Sequence, residues 1–298
     1  MKRLKVGVIG CGVMGGFHIK QYLNIPEVEL IGASDIDEAR APKDVRFFKN
    51  YRELSGLCDA VSITTPTATH FDVGSYALDA GCNILIEKPI TLKIDQAEKL
   101  IKKARSKKLV LAVGHIESFN PAFKAVLREI KGSKPDVIDI RRYSPFPERI
   151  TDVSCVIDMM VHDIDLAMRL AKSKVKYVNA IGKKVRSDKL DQTLAVIVFE
   201  NGTVANIEAN RVYDEKLRKL IVACGSRAYE ADLLNKKADE IEAGKKRKIQ
   251  VELSDQLNQE LRDFVNAVMK RKKPSVTGED GLAALEIAGR IEGAAIKS

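Results

Sequence analysis

The sequence predicts an α/β protein, with a doubly wound parallel sheet in its first third and a second, strand-rich α/β domain behind it. Three observations carry this. From Leu4 to His115, short β-branched runs alternate with longer amphipathic ones, the pattern of a parallel sheet with helices on both faces. A glycine-rich turn, Gly10-Cys11-Gly12-Val13-Met14-Gly15, directly follows the first of those runs. Farther on the runs are strand-like and closely spaced, and Glu200-Asn201-Gly202 is a tight-hairpin signal that makes at least one pair antiparallel.

In chain order, the first third reads as strands at 5–9, 29–34, 59–64, 83–87 and 110–114, with helices at 13–23, 68–80 and 94–105. Gly56 and Gly81 sit where helix stops are expected. The rest reads as strands at 137–142, 175–181, 193–199, 203–210, 219–223 and 228–232, and helices at 154–166, 256–270 and 281–296. The charge-dense run from Lys236 to Lys248 reads as a solvated loop. The domain boundary is expected near Glu117 to Pro121, giving domains 1–117 and 118–298.

Composition narrows the class. With 298 residues, 45% hydrophobic and 31% charged, the chain can fill two cores and is not a disordered type. Its apolar runs fall far short of the roughly 18 residues a membrane span needs, so a soluble protein is expected. Basic Met1 to Lys5 ahead of an apolar burst resembles an export signal, but only Val6 to Ile9 precede Gly10, against the roughly 7 to 15 apolar residues such a signal requires. Five scattered cysteines without a CxxC pair argue against a disulfide framework or structural zinc and suit a reducing cytoplasm. The net charge of +9 is spread along the chain, and aromatics are 5% with no Trp. That disfavours a nucleic-acid stacking platform and leaves anionic small molecules as the expected beneficiary.

The glycines acquire a role in the strand–turn–helix setting. Gly10 permits the tight turn, Gly12 lets a pyrophosphate approach the backbone, and Gly15 lets the helix pack on the strand. The free N–H groups opening the helix at Val13 would face the anion. Asp35 ends the second strand 25 positions after Gly10, near the spacing of about 20 for the acid that binds the ribose hydroxyls. Such a carboxylate favours NAD over NADP, although Arg40 lies close by; Asp35 also suits a plain turn or capping role.

Two further features suggest catalysis. Glu87-Lys88-Pro89 closes the strand 83–87, and ligands of open α/β sheets sit beyond the carboxyl ends of strands. Lys88 would then reach the crevice, with Pro89 restricting it and able to take the cis form; a surface lysine is the alternative. Farther on, a helix capped at Ser154 carries Asp158 and His162 four apart, with Asp165 continuing the face. A carboxylate beside an imidazole suits proton transfer, while a helical surface pair is the plainer reading. A metal site from Asp158, His162 and Asp165 is not expected, because there are four histidines in all and no HExxH pattern.

Taken together, VGVIGCGVMG, Asp35, TPTATH at 65–70, EKP at 87–89, Gly114-His115 and the DxxxHDID helix resemble the Gfo/Idh/MocA oxidoreductases. The resemblance spans nearly the whole chain. It implies an N-terminal Rossmann domain and a C-terminal α/β domain with an open, mostly antiparallel sheet whose outer face builds homodimers or homotetramers. It implies NAD, or NADP, held by Gly10, Gly12, Val13, Met14, Gly15, Asp35, Thr65, Pro66, His70, Glu87 and Lys88. It also implies catalytic roles for Lys88, Asp158 and His162. The segments 115–121 and 141–149 resemble the nucleotide-sugar members, the UDP-N-acetylglucosamine 3-dehydrogenase branch, which makes His115, Asn120, Arg142 and Arg149 candidate substrate contacts. Ser118 stands where relatives often carry Arg.

The resulting expectation is reversible oxidation of a secondary ring alcohol. An imidazole titrating at about 6.5 is better matched to neutral pH than a lysine at about 10.4, so His162 is the first candidate for the base. Lys88 would then steady the reacting oxygen; a lowered lysine pKa would reverse the two roles. Alternatives are an NAD-dependent glycosidase of the same fold, a non-catalytic NAD-binding redox sensor, and a nucleic-acid binder.

Overall fold

A computed structural model describes residues 3–147 and 153–297. Contacts divide the chain into two compact units, 1–115 with 257–283, and 116–256 with 284–298. The change at 115/116 falls close to the expected boundary, but residues 257–283 return to the first unit, which chain order alone does not reveal.

The first unit holds a six-stranded sheet: β1 (Leu4–Ile9), β2 (Val28–Ser34), β3 (Phe47–Phe48), β4 (Ala60–Ile63), β5 (Asn83–Glu87) and β6 (Leu111–Gly114). All five pairings are parallel, in the order β3-β2-β1-β4-β5-β6. Helices α1 (Val13–Tyr22), α2 (Tyr51–Ser55), α3 (His70–Asp79) and α4 (Ile94–Ser106) connect them. Because both faces are covered, central strands read as unbroken apolar runs: Ile84, Leu85 and Ile86 are all buried. This order reverses direction beside β1, and ligands bind at such switch points beyond the strands' carboxyl ends. The glycine turn at the end of β1 stands there.

The second unit carries α5 (Pro121–Glu129), β7 (Val137–Tyr143), a π-helical turn Val156–Met160 continued by α6 (Val161–Ala171), and strands β8 (Val175–Lys183), β9 (Gln192–Phe199), β10 (Val204–Asn210), β11 (Leu217–Cys224), β12 (Arg227–Asp232), β13 (Lys237–Glu242) and β14 (Lys245–Ile249). They form one open sheet in the order β14-β13-β12-β11-β7-β10-β9-β8. Among the described residues, only the β7–β10 pairing of this sheet is parallel. One face is core: Ile138 and Ile140, Ala195 and Ile197, Ala205 and Ile207, Leu220 and Val222 alternate inward, as period-two strands must. The run 236–248 is not a loop. It is the β13–β14 hairpin, turning at Ala243-Gly244 with both φ positive and tied by Arg247 to Glu240 and Glu129.

After β14, α7 (Gln256–Met269) and α8 (Gly278–Lys297) complete the chain. The start of α8 is seated on the first sheet through a bridge between Ala112 and Thr277.

A buried ion pair anchors the segment that leads into the π turn. Arg211 donates from Nε to Asp191 Oδ1 at 2.9 Å and from Nη1 to the Val153 carbonyl at 2.8 Å. Asp191 Oδ2 also accepts the N–H groups of Val185, Arg186 and Ser187 at 2.7, 2.7 and 3.0 Å. Burial pushes this carboxyl up, but the Ser187 hydroxyl, the backbone donors and Arg211 outweigh it and hold Asp191 far below the ordinary range. A folded-state pKa below the unfolded value of about 3.9 means stability that is whole above that pH and lost as pH falls. Thermal melts of the wild type should therefore drop steeply below about pH 4. Asp191→Asn should start less stable and show a flatter acid slope; parallel slopes would refute the assignment.

Candidate active site

In the first unit the site grows from the turn after β1. Gly10 has φ +98°, and a Cβ there would lie 2.8 Å from the Thr64 backbone. A Cβ on Gly15 would fall 1.8 Å from the Gly10 carbonyl oxygen, whereas at Gly12 the nearest heavy atom is Arg40 Nη1 at 3.9 Å. Two glycines are thus needed for packing and the third faces open space. The first bond of α1 runs from Gly16 N–H to the Gly12 carbonyl, which leaves the N–H groups of Val13, Met14 and Gly15 at an open helix terminus, an anion-binding arrangement.

Asp35 is fixed beside this turn. Its Oδ2 accepts the Cys11 N–H at 2.7 Å and its Oδ1 the Asp37 N–H at 3.0 Å, so it anchors the glycine loop and shapes its own turn at once. Arg40, on a short 3-10 segment, is paired with Asp37 at 3.2 Å.

The next loop edge comes from β4. Thr64 donates its hydroxyl to the Gly10 carbonyl at 2.7 Å, a contact no local sequence signal announces. Thr65 and Pro66 follow, with the Thr69 hydroxyl 2.8 Å from both Thr65 Oγ1 and the Pro66 carbonyl. His70 departs from the expected cofactor-lining role. It is buried, with Nδ1 3.0 Å from the Pro89 carbonyl and Nε2 2.9 Å from the Thr65 carbonyl, and so braces the β4 loop against the β5 loop. Burial lowers its pKa against the opposing pull of the two carbonyls.

At the end of β5, Lys88 is half-buried and the Lys88–Pro89 peptide is cis. Glu87, expected on the cofactor, instead turns its carboxylate to His18 Nε2 at 3.0 Å, in a space that Gly114 keeps open: a Cβ on Gly114 would crowd Glu87 at 3.0 Å. Burial raises the Glu87 carboxyl, but the His18 bond and the charges of His18, Lys88 and His70 bring it below its ordinary value. His115 is buried at the end of the following strand, which removes it from the expected substrate surface.

In the second unit, Ser154 caps the helical segment as expected, its Oγ accepting the Ile157 N–H at 3.3 Å. The first turn is π-helical, a form frequent at functional sites. Asp158 and His162 lie on the half-buried flank of this segment, while Met159, Met160 and Val161 between them are buried. Asp165 does not continue that flank. It is buried, takes the Ser118 hydroxyl, and receives Arg169 Nε at 3.0 and 2.9 Å.

Arg142 is not a substrate group either. It is buried, donating Nε and Nη2 to Asp163 at 2.7–3.0 Å and Nη1 to Glu117 at 3.1 Å. Burial works against both partners, raising Asp163 and lowering Arg142, yet Asp163 and Glu117 more than restore the guanidinium. Asn120 is equally committed. Its Oδ1 caps α5 at the Ala122 N–H, and its Nδ2 donates to Glu117 and to the Leu233 carbonyl. Arg149 lies outside the described residues.

A switch-point turn with a space for a diphosphate, an acid at the end of the second strand, and a second domain bearing a partly exposed acid and histidine define a dinucleotide-dependent oxidoreductase. Comparison with known proteins gives the family. A family model described as the oxidoreductase family, NAD-binding Rossmann fold, matches residues 4–115, and the GFO/IDH/MocA C-terminal domain matches residues 136–229. The chain is 34% identical to UDP-N-acetylglucosamine 3-dehydrogenase of Acidithiobacillus ferrooxidans, with 98% of each chain covered. It is 26% identical to scyllo-inositol 2-dehydrogenase (NAD(+)) of Bacillus subtilis, over 96% of this chain and 92% of that one. A solved structure of the Acidithiobacillus ferrooxidans enzyme superposes with a TM-score of 0.94 at 35% identity, covering 99% and 98% of the two chains. The chain belongs to the Gfo/Idh/MocA oxidoreductases, and its first unit is an NAD-binding Rossmann domain.

Proposed function

We propose that this chain oxidises a secondary ring hydroxyl of a sugar nucleotide, with UDP-N-acetylglucosamine at its C3 hydroxyl as the first substrate to try. The observation that carries the cofactor half is the open space at Gly12, the one member of the G-x-G-x-x-G fingerprint with no packing duty. The substrate half is supported by the relative at 34% identity. Arg142 has no part in binding a diphosphate, because its donors are spent on Asp163 and Glu117.

Bound NAD supplies a hydride acceptor. The chain's residues handle the proton and the oxygen: His162 takes the hydroxyl proton, the Lys88 ammonium donates a hydrogen bond to the oxygen as it gains alkoxide character, and Asp158 orients substrate or ring. No helix is long and apolar enough to cross a membrane among the described residues. We place the enzyme in the cytoplasm as a homo-oligomer joined through the outer sheet face, on which Leu194 and Val137 are exposed.

The test measures NADH formation with UDP-N-acetylglucosamine, free N-acetylglucosamine and inositols, for wild type, His162→Gln and Lys88→Met. Each variant should lose about 10²–10⁴-fold in kcat, and His162→Gln should keep its NAD affinity. The rise of kcat/KM with pH should vanish in His162→Gln; its loss in Lys88→Met alone would make Lys88 the base. Equal activity on the free sugar would sink the sugar-nucleotide assignment, and losses below tenfold in both variants would sink the catalytic one.

A further inference from the structure

At the edge of the first sheet opposite the glycine turn, the starts of β5 and β6 open onto a cleft of about 710 Å³. Its wall is cationic: Arg105 stands in the last turn of α4, Lys107 and Lys108 follow that helix, and Arg271, Lys272 and Lys273 follow α7, with Glu279 the one acid among the lining residues. Glu279 binds Arg105 at 2.7 Å and Asp79 binds Lys107 at 3.3 Å. No carboxylate of the described residues pairs with Lys108, Arg271, Lys272 or Lys273.

Basic residues at helix C-termini have an ordinary explanation, since each helix end carries about half a negative charge. Two such ends meet here, and they offset roughly one of the four unanswered cations. An excess of about three positive charges remains. The floor is apolar, formed by Ile101, Leu109, Val110 and Val268.

The backbone explains how the two helix ends present their cations. Lys108 and Arg271 both sit in the left-handed region, with φ of 58° and 49°. Each ends its helix with the same 6→1 bond, Leu109 N–H to Ala104 and Lys272 N–H to Ala267, both at 2.9 Å. Glycine is the favoured residue at such a position because a Cβ there is penalised. At both places a long cation stands instead, as Lys172 does at the end of α6; here the two such ends share one cleft.

We propose that this cleft is a second nucleotide site, taking a nucleoside di- or triphosphate with its phosphates on the cationic wall and its ring on the apolar floor. The volume suits a small molecule, and no aromatic lines it, which removes the stacking platform a single-stranded nucleic acid would use. The site is separate from the NAD turn and does not depend on the substrate assigned above.

The probe is GTP, titrated calorimetrically into protein saturated with NAD. One GTP per chain is expected, weakening as salt rises. Lys108→Gly/Arg271→Gly removes two cations and relieves two left-handed backbones. That variant should melt no lower than wild type and keep its NAD affinity, yet bind GTP at least tenfold more weakly. Tripolyphosphate should also bind at least tenfold more weakly than GTP. The proposal is overturned by unchanged GTP affinity in the variant, by GTP binding only through displacement of NAD, by tripolyphosphate binding as tightly as GTP, or by a short RNA binding more tightly.

Discussion

Gly15→Ala is expected to lose about 3 kcal/mol or more of stability in urea unfolding, and with it NAD binding. The added methyl would stand 1.8 Å from the Gly10 carbonyl oxygen, so relief requires moving α1 off β1 or reshaping a turn already held by Thr64 and Asp35. No flexible side chain is available to yield, since the clash is with backbone. Gly12→Ala is the matched control. Its φ of −69° suits alanine, and the nearest atom is the tip of Arg40. It should therefore fold within about 1 kcal/mol of wild type while binding NADH at least tenfold more weakly, read from nicotinamide fluorescence. If the two variants proved equally stable, the packing role of Gly15 would be wrong.

Arg142→Leu should cost about 3–5 kcal/mol, the range for stripping one partner from a buried ion pair. It would leave Asp163, which is fully buried, without its hydrogen-bonded cation and with only the field of Arg218 to offset its charge. Glu117 would be less exposed to the loss, because Arg218 Nη1 also donates to it at 2.9 Å. Adding Asp163→Asn to Arg142→Leu should recover a large part of the deficit, and the double-mutant cycle should give coupling well above the additive limit of about 0.5 kcal/mol. Additivity would mean that the pair contributes nothing as a pair. Because Asp163 directly follows His162 in α6, the single variant should also lose activity under conditions where it remains folded.

The contrast between these sites shows which physics is local. The placement of the glycine turn, Asp35 and Lys88 at the ends of β1, β2 and β5 could be read from the sequence because backbone freedom, spacing and strand ends are properties of short stretches. Arg142 was misread for the opposite reason: its partners lie 21 and 25 residues away, and an arginine in a string of arginines resembles an anion site. A signal was present nonetheless. Period two places Arg142 on the same face of β7 as Ile138 and Ile140, which is the buried face. Asn120-Pro121 was likewise a helix start in plain view, since Asn favours the cap and Pro the first turn.

The β13–β14 hairpin escaped for a different cause. Lys245-Lys246-Arg247-Lys248 has no apolar alternation, and strand formation there is supported by carboxylates on the neighbouring strands and on α5. Charge also suits it to the sheet's margin, where it discourages pairing with another chain. His18 escaped because nothing in its neighbourhood points across 69 residues to Glu87.

The return of residues 257–283 to the first unit has a consequence for how the protein comes to exist. A ribosome that has released the first 115 residues has produced a nucleotide-binding fold still lacking α7 and the strap that pairs with Ala112. Completion waits until residues 257–283 have been made, so the order of synthesis and the order of assembly differ, and residues 1–115 must remain unfinished while residues 116–256 are made.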